Sequence, residues 1–164
     1  MRENTNSLII LGGIGFTVIF DVWDNKKWKK FSLHTKLVLI TTGFLLLFGS
    51  VVIFLLEMNN PNTLQPLSLQ GKVLGSYFQS VSTRTAGYNT VDIGQLHDAT
   101  IFFMVILMFI GASPTSTGGG IKTTTFGVIL AAVWALITGK PDAELFKRRI
   151  SQQLIYKAFS VILI

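Results

Sequence analysis

Ser80-Val81-Ser82-Thr83-Arg84-Thr85-Ala86-Gly87-Tyr88-Asn89 is a polar turn set between two long apolar stretches. Non-helical backbone survives at membrane depth only where it lines a water-filled path or is buried by other protein. The turn is therefore the first candidate for a functional site. Its core, Thr85, Ala86, Gly87 and Tyr88, has residue types that let consecutive carbonyls turn toward a cation, with Gly87 accepting backbone angles that a side chain forbids. An ordinary turn joining two membrane helices is the plainer alternative, but it would not need the polar half-helix that leads into this one.

Outward from the turn, the composition is that of a membrane protein. Hydrophobic residues make up 49% of the chain and charged residues 13%. Leu37 to Leu56 carries no charge and as a helix spans about 30 Å, the thickness of a bilayer's hydrocarbon core. Cysteine is absent, which excludes disulfides, thiolate metal sites and thiol nucleophiles. His34 and His97 have no companion ligands in the sequence, so no metal site is expected beyond a transported ion. The net charge of +6 invites a nucleic-acid reading, but the basic residues sort by loop. Lys26, Lys27, Lys29, Lys30 and Lys36 precede the span; Lys140, Lys147, Arg148, Arg149 and Lys157 follow the last apolar stretch; only Lys72 and Arg84 lie between Glu57 and Asp98. The positive-inside bias puts both basic loops in the cytoplasm of a multi-pass protein of the cell membrane, with lipid and not nucleic acid around it.

Leu8 to Phe20 is short and weakened by Gly12, Gly13 and Gly15. It reads as the cytoplasmic end of a membrane helix that begins upstream; a signal peptide is the other reading, but no small-residue cleavage site follows Phe20. Asp21 to Lys30, with Trp23 and Trp28, reads as an interfacial loop. Leu69 to Val81 is too short and too polar to cross, so a re-entrant half-helix is expected, its dipole placing partial negative charge at the turn. As one helix, Asp98 to Thr138 would run roughly 60 Å, twice the hydrocarbon thickness. It breaks at Gly111-Ala112-Ser113-Pro114-Thr115-Ser116-Thr117-Gly118-Gly119-Gly120, whose glycines and proline stop a helix. The expected fold is an all-α membrane protein built on a helix, pore loop, helix unit of the potassium-channel kind, with its second helix broken. Residues 1–20 end a preceding repeat, 21–36 are a cytoplasmic loop, 37–138 one complete repeat, 139–156 a cytoplasmic linker and 157–164 the start of the next repeat.

Two cationic side chains need a place in this scheme. Arg84 either braces the turn from behind, donating to backbone carbonyls, or sits in the water-filled outer mouth. Lys122 either repels cations near the permeation route or snorkels to the cytoplasmic interface. The run Gly118 to Thr123 is not a phosphate-binding loop, since Lys122 does not directly follow a glycine and no strand precedes it.

Ser82-Thr83-Arg84-Thr85-Ala86-Gly87-Tyr88-Asn89-Thr90, followed by Gly111-Ala112-Ser113 through Gly118-Gly119-Gly120-Ile121-Lys122-Thr123-Thr124-Thr125, resembles the Trk/Ktr/HKT superfamily of potassium transporters, nearest to its KtrB membrane-subunit branch. Gly12-Gly13-Ile14-Gly15-Phe16 through Asp21 is similar to the end of that family's second repeat, and Leu33-His34-Thr35-Lys36-Leu37 to the start of its third. The resemblance implies four helix, pore loop, helix repeats around an ion path. Gly87 is then the filter glycine of the third repeat, with Thr85, Ala86 and Tyr88 as filter carbonyls, Arg84 as filter support, and Gly111 to Gly120 with Lys122 as an intramembrane gating loop. It implies K+ transport, with Na+ involvement open, no covalent chemistry and no cofactor. Implied partners are the remaining repeats, a second full-length subunit in a homodimer, and a cytoplasmic nucleotide-binding regulatory subunit. One repeat cannot enclose an ion by itself, so the chain reads as a fragment of a longer transporter; a non-conducting truncated membrane fragment with a structural role is the alternative.

Overall fold

The computed structural model describes residues 2–84, 86–140, 142–146 and 148–163. The first apolar stretch folds as two helices, α1 (Arg2–Ile14) and α2 (Phe16–Asn25), bent by 94° at Gly15. The sequence suggested helix to Phe20 and a loop from Asp21; instead the helix resumes and runs to Asn25. The reason lies in Asp21. Its carboxylate accepts from Asn25 Nδ2 at 2.7 Å, from the Ser32 N–H at 2.9 Å and from the Thr35 hydroxyl, so this charge splices α2 to the start of the next helix. A short 3-10 turn, Trp28–Lys30, makes the connection.

Ser32 caps α3 (Leu33–Glu57), its hydroxyl oxygen accepting the Thr35 N–H at 3.1 Å. With 25 residues the helix is about 37 Å long. Among the described residues it is the one helix long and apolar enough to cross a membrane alone; α1 and α2 qualify only as a bent pair. Phe44, Leu47, Val51 and Leu55 on α3 are exposed, a band of large apolar side chains that water would not tolerate and lipid or protein would cover. The opposite face, with Val38, Leu45, Leu46 and Ile53, is buried.

The chain then turns back. Ser68 caps α4 (Leu69–Ser82), accepting the Gly71 N–H at 3.2 Å, and α4 packs along α3, where the Ser80 hydroxyl donates to the Leu46 carbonyl at 2.9 Å. After a non-helical return and a 3-10 turn, Ile93–Gln95, come α5 (Asp98–Phe109) and α6 (Thr123–Ile137). The break expected between them is present. Two apolar clusters bind α5 to α3: Leu45 with Leu107 and Ile110, and Ile53 with Leu96 and Met104.

Beyond α6 the structure departs from the linker read in the sequence. Lys140 N–H returns to the Ala135 carbonyl at 2.9 Å and Gly139 adopts φ 65°, ending the helix. A short antiparallel pair, β1 (Glu144–Leu145) and β2 (Arg148–Arg149), follows, and α7 (Gln152–Leu163) starts ahead of Lys157, where a helix was expected. Ala143 tucks against Ala132 and Ala135 while its carbonyl accepts the Ile150 N–H at 2.9 Å, so burial of a small apolar residue reverses the chain where the basic charges suggested a solvated stretch. Pro141 and Lys147 of that linker lie outside the described residues. The helical class holds, this hairpin aside.

Ile53 is 1% exposed at the α3–α5 contact. Ile53→Ala in the full-length protein is expected to destabilise it by roughly 2–5 kcal/mol, read as a lower midpoint of thermal unfolding in detergent.

Candidate functional site

The tip of α4 is polar and yet enclosed. Ser76, Gln79, Ser80, Ser82 and Thr83 are all buried, and the helix unwinds through a chain of short-range bonds: Thr83 Oγ1 to the Ser80 carbonyl at 2.7 Å, Arg84 N–H to Val81 at 3.1 Å and Ala86 N–H to Ser82 at 3.2 Å. Gly87 then takes φ 72°, the left-handed region, although a Cβ there would meet nothing within 4 Å. Its requirement is conformational, with space to spare. Gly87 and Tyr88 are exposed and Ala86 half-buried, at the negative end of the α4 dipole. The Tyr88 carbonyl also accepts the Ser82 hydroxyl, a bond that ties the turn back to its own helix and leaves one lone pair. Thr85, the first of the expected filter carbonyls, lies outside the described residues.

Arg84 is 8% exposed. Its Nη2 reaches Thr42 Oγ1 at 3.4 Å, while Nη1 has no partner among the described residues. Among the described residues Arg84 donates to no filter carbonyl; its side chain lies against α3.

The segment after α5 is folded as a narrow loop. Gly111 and Gly119 close its neck so tightly that a Cβ on Gly111 would fall 1.7 Å from the Gly119 carbonyl oxygen, and Ala112 N–H donates to that oxygen at 3.2 Å. Inside, Ser113 and Thr123 hydroxyls pair at 2.9 Å and the Ser116 hydroxyl donates to the Ser113 carbonyl at 2.5 Å. Lys122 Nζ donates to the Gly118 carbonyl at 2.8 Å. Its ammonium is thus held by the loop it follows, an arrangement that neither reading of Lys122 anticipated.

The loop is docked on the bend between α1 and α2. A helix break leaves carbonyls and amides without intrahelical partners, and here the loop supplies them: Ser113 N–H donates to the Gly13 carbonyl at 3.0 Å, and Phe16 N–H to the Thr115 carbonyl at 3.4 Å. Thr17 and Thr115 hydroxyls meet at 2.5 Å. Gly15, at φ 91°, lets the two backbones touch; a Cβ would lie 2.5 Å from the Pro114 carbonyl oxygen. Sequence reasoning took Gly15 as a weak point of a helix and as part of a segment resembling the family's second repeat, and gave Ser82 no role of its own within the motif; three glycines within four positions were the available signal for a close backbone approach.

A cavity of about 180 Å³ joins the two features, with Arg84, Ala86 and Tyr88 on the turn side, Thr117 and Gly118 on the loop side, and Gly12 and Gly13 of α1 as a wall. A larger cavity, about 610 Å³, lies elsewhere, between α3, α6 and α7, and is walled mainly by apolar side chains. Asp92 accepts the Gly94 N–H at 3.0 Å within its own turn. No group of three or more metal-ligating side chains gathers among the described residues.

Comparison with known proteins fits this geometry. Residues 4–164 match the family described as TrkH, cation transport protein. Ktr system potassium uptake protein B of Bacillus subtilis is 49% identical over 94% of this chain and 35% of its own length; that of Vibrio alginolyticus is 45% identical over 96% and 35%. The potassium/sodium uptake protein NtpJ of Enterococcus hirae is 38% identical over 95% and 34%. The chain thus spans about a third of the length of these relatives. The crystal structure of the potassium transporter TrkH from Vibrio parahaemolyticus superposes with a TM-score of 0.78 at 18% identity, over 99% of this chain and 36% of the other, a likeness of fold. Trk and Ktr transporters are membrane proteins, and this chain belongs to the TrkH cation transport family.

Proposed function

We propose that this chain supplies one filter loop and one gating loop to a K+-conducting pore, with Na+ as a second candidate cation. The observation that carries the proposal is the left-handed Gly87 at the tip of a half-helix, in a turn whose Ala86 and Tyr88 share a small cavity with a glycine-rich loop. Carbonyls of residues 85 to 88 would replace part of the ion's hydration shell, and Arg84 behind them would offset charge and fill space. Residues 37–138 form the complete repeat, flanked by the end of one repeat and the start of another, and the other quarters of the filter come from the rest of a longer protein. The relatives named for potassium uptake support this reading; the one named for potassium and sodium keeps Na+ in view.

In that assembly the Gly111 to Gly120 loop obstructs the route beneath the filter and is held there by the α1–α2 bend. The basic loops face the cytoplasm of a plasma-membrane protein, a homodimer of full-length subunits sits on a nucleotide-binding regulatory subunit, and no covalent catalysis takes place.

Gly87→Ser in the full-length transporter should lower the K+ to Na+ uptake ratio, because a side chain disfavours the φ that presents the carbonyls; an unchanged ratio in cells lacking other potassium importers would refute the filter role. Gly15→Ala forces its new Cβ against Pro114 and should displace the loop. The expected result is faster K+ flux together with faster labelling of a cysteine placed at Thr117 by a water-soluble thiol reagent. Wild-type flux and labelling would remove the loop from gating.

A further inference from the structure

The C-terminal end of α3 carries a carboxylate, Glu57, to which sequence reading gives no role. Glu57 is 0% exposed, and among the described residues no lysine or arginine pairs with it. A buried charge without a counter-ion persists only if its lone pairs are filled. Here they are. Oε1 accepts from the His97 N–H at 2.9 Å and the Thr100 hydroxyl at 2.6 Å, and Oε2 from Asn60 Nδ2 at 2.7 Å and the Thr63 hydroxyl at 2.6 Å.

These donors come from two separate stretches of chain. Asn60 and Thr63 belong to the segment that descends into α4; His97 and Thr100 stand where the segment returning from Gly87 enters α5. Asn60 Nδ2 also donates to the Gln95 carbonyl at 2.8 Å, crossing directly between the two. Next to Thr63, Leu64 is 1% exposed and packs close against Gly75 of α4. Both limbs of the re-entrant segment are therefore gathered on one side chain, and the half-helix is seated from the same place.

We propose that Glu57 is the positioning residue for ion discrimination at the Gly87 turn: it touches no ion, but sets the spacing of the limbs that carry the turn. This rests on the filter assignment made above. Glu57→Gln keeps the shape and changes the bonding. Whichever way the amide is turned, its NH2 faces either the His97 N–H or the Asn60 amide, donors that cannot become acceptors, whereas the threonine hydroxyls can rotate to accept. Thr63→Val and Thr100→Val each remove a single donor at nearly constant shape.

The test uses the full-length transporter in cells lacking other potassium importers, with K+ and Na+ uptake measured as KM and Vmax per amount of folded protein in the membrane. Glu57→Gln is expected to raise KM for K+ and lower the K+ to Na+ preference by roughly tenfold, the scale of a buried hydrogen bond left unmade. Each threonine variant should shift both in the same direction by less. Val38→Ala, a cavity in the buried inner part of α3, should lower thermal stability and leave KM and preference at wild type. Variants of Glu57, Thr63 and Thr100 that lose only Vmax or protein amount, or shift preference no more than Val38→Ala, overturn the proposal. If Glu57→Gln fails to reach the membrane, the two threonine variants decide. Gly87→Ser separates the two levels: a shift there with none in the Glu57 set refutes the positioning role alone, and no shift in either refutes the filter assignment.

Discussion

A chain that turns back on itself inside an apolar layer must satisfy its own backbone, because no water is there to do it. Most of what distinguishes this structure follows from that constraint. The re-entrant α4 packs along α3 with a serine donating into the α3 carbonyl ladder, its end unwinds through successive short-range bonds, and the turn at Gly87 is tied back by Ser82. The interrupted second helix obeys the same rule. Its loop fills its own neck with the Gly119 carbonyl and gives its Ser113 amide and Thr115 carbonyl to groups that the α1–α2 bend sets free. Two breaks that would each be costly alone complete one another.

Charge is handled in the same economical way. Asp21 joins α2 to α3, Lys122 closes on Gly118, and Glu57 gathers the two limbs that flank the turn, each through hydrogen bonds to neutral groups. The one ion pair among the described residues, Arg149 with Asp142 at 3.1 Å, lies at the exposed hairpin, where such pairs contribute little. These ionic groups therefore act as local fasteners between neighbouring stretches of backbone, while apolar contacts such as Ile53 with Met104 hold the helices together.

What the sequence made legible was what depends on local composition. The uncharged run after Leu37 marked α3, the shortness and polarity of Leu69 to Val81 marked a half-helix, and four glycines and a proline marked the break between α5 and α6. Contacts between distant residues were not legible. Asp21 looked like the start of a loop because its partners, Ser32 and Thr35, lie a full turn of chain further on. Glu57 looked like the edge of a span because two of its donors, His97 and Thr100, are some forty positions away. The hairpin after α6 was hidden because burial of Ala143, not charge, decides the path there.

The bend at Gly15 also has a mechanical side. The 10-residue α2, about 15 Å long, runs from the point where the loop is pinned to the lysines that precede α3, and Asp21 ties it to Ser32 and Thr35 on the way. The loop at Pro114 and Thr115 and the entry to α3 are thus joined by one continuous strut, so the position of either constrains the other.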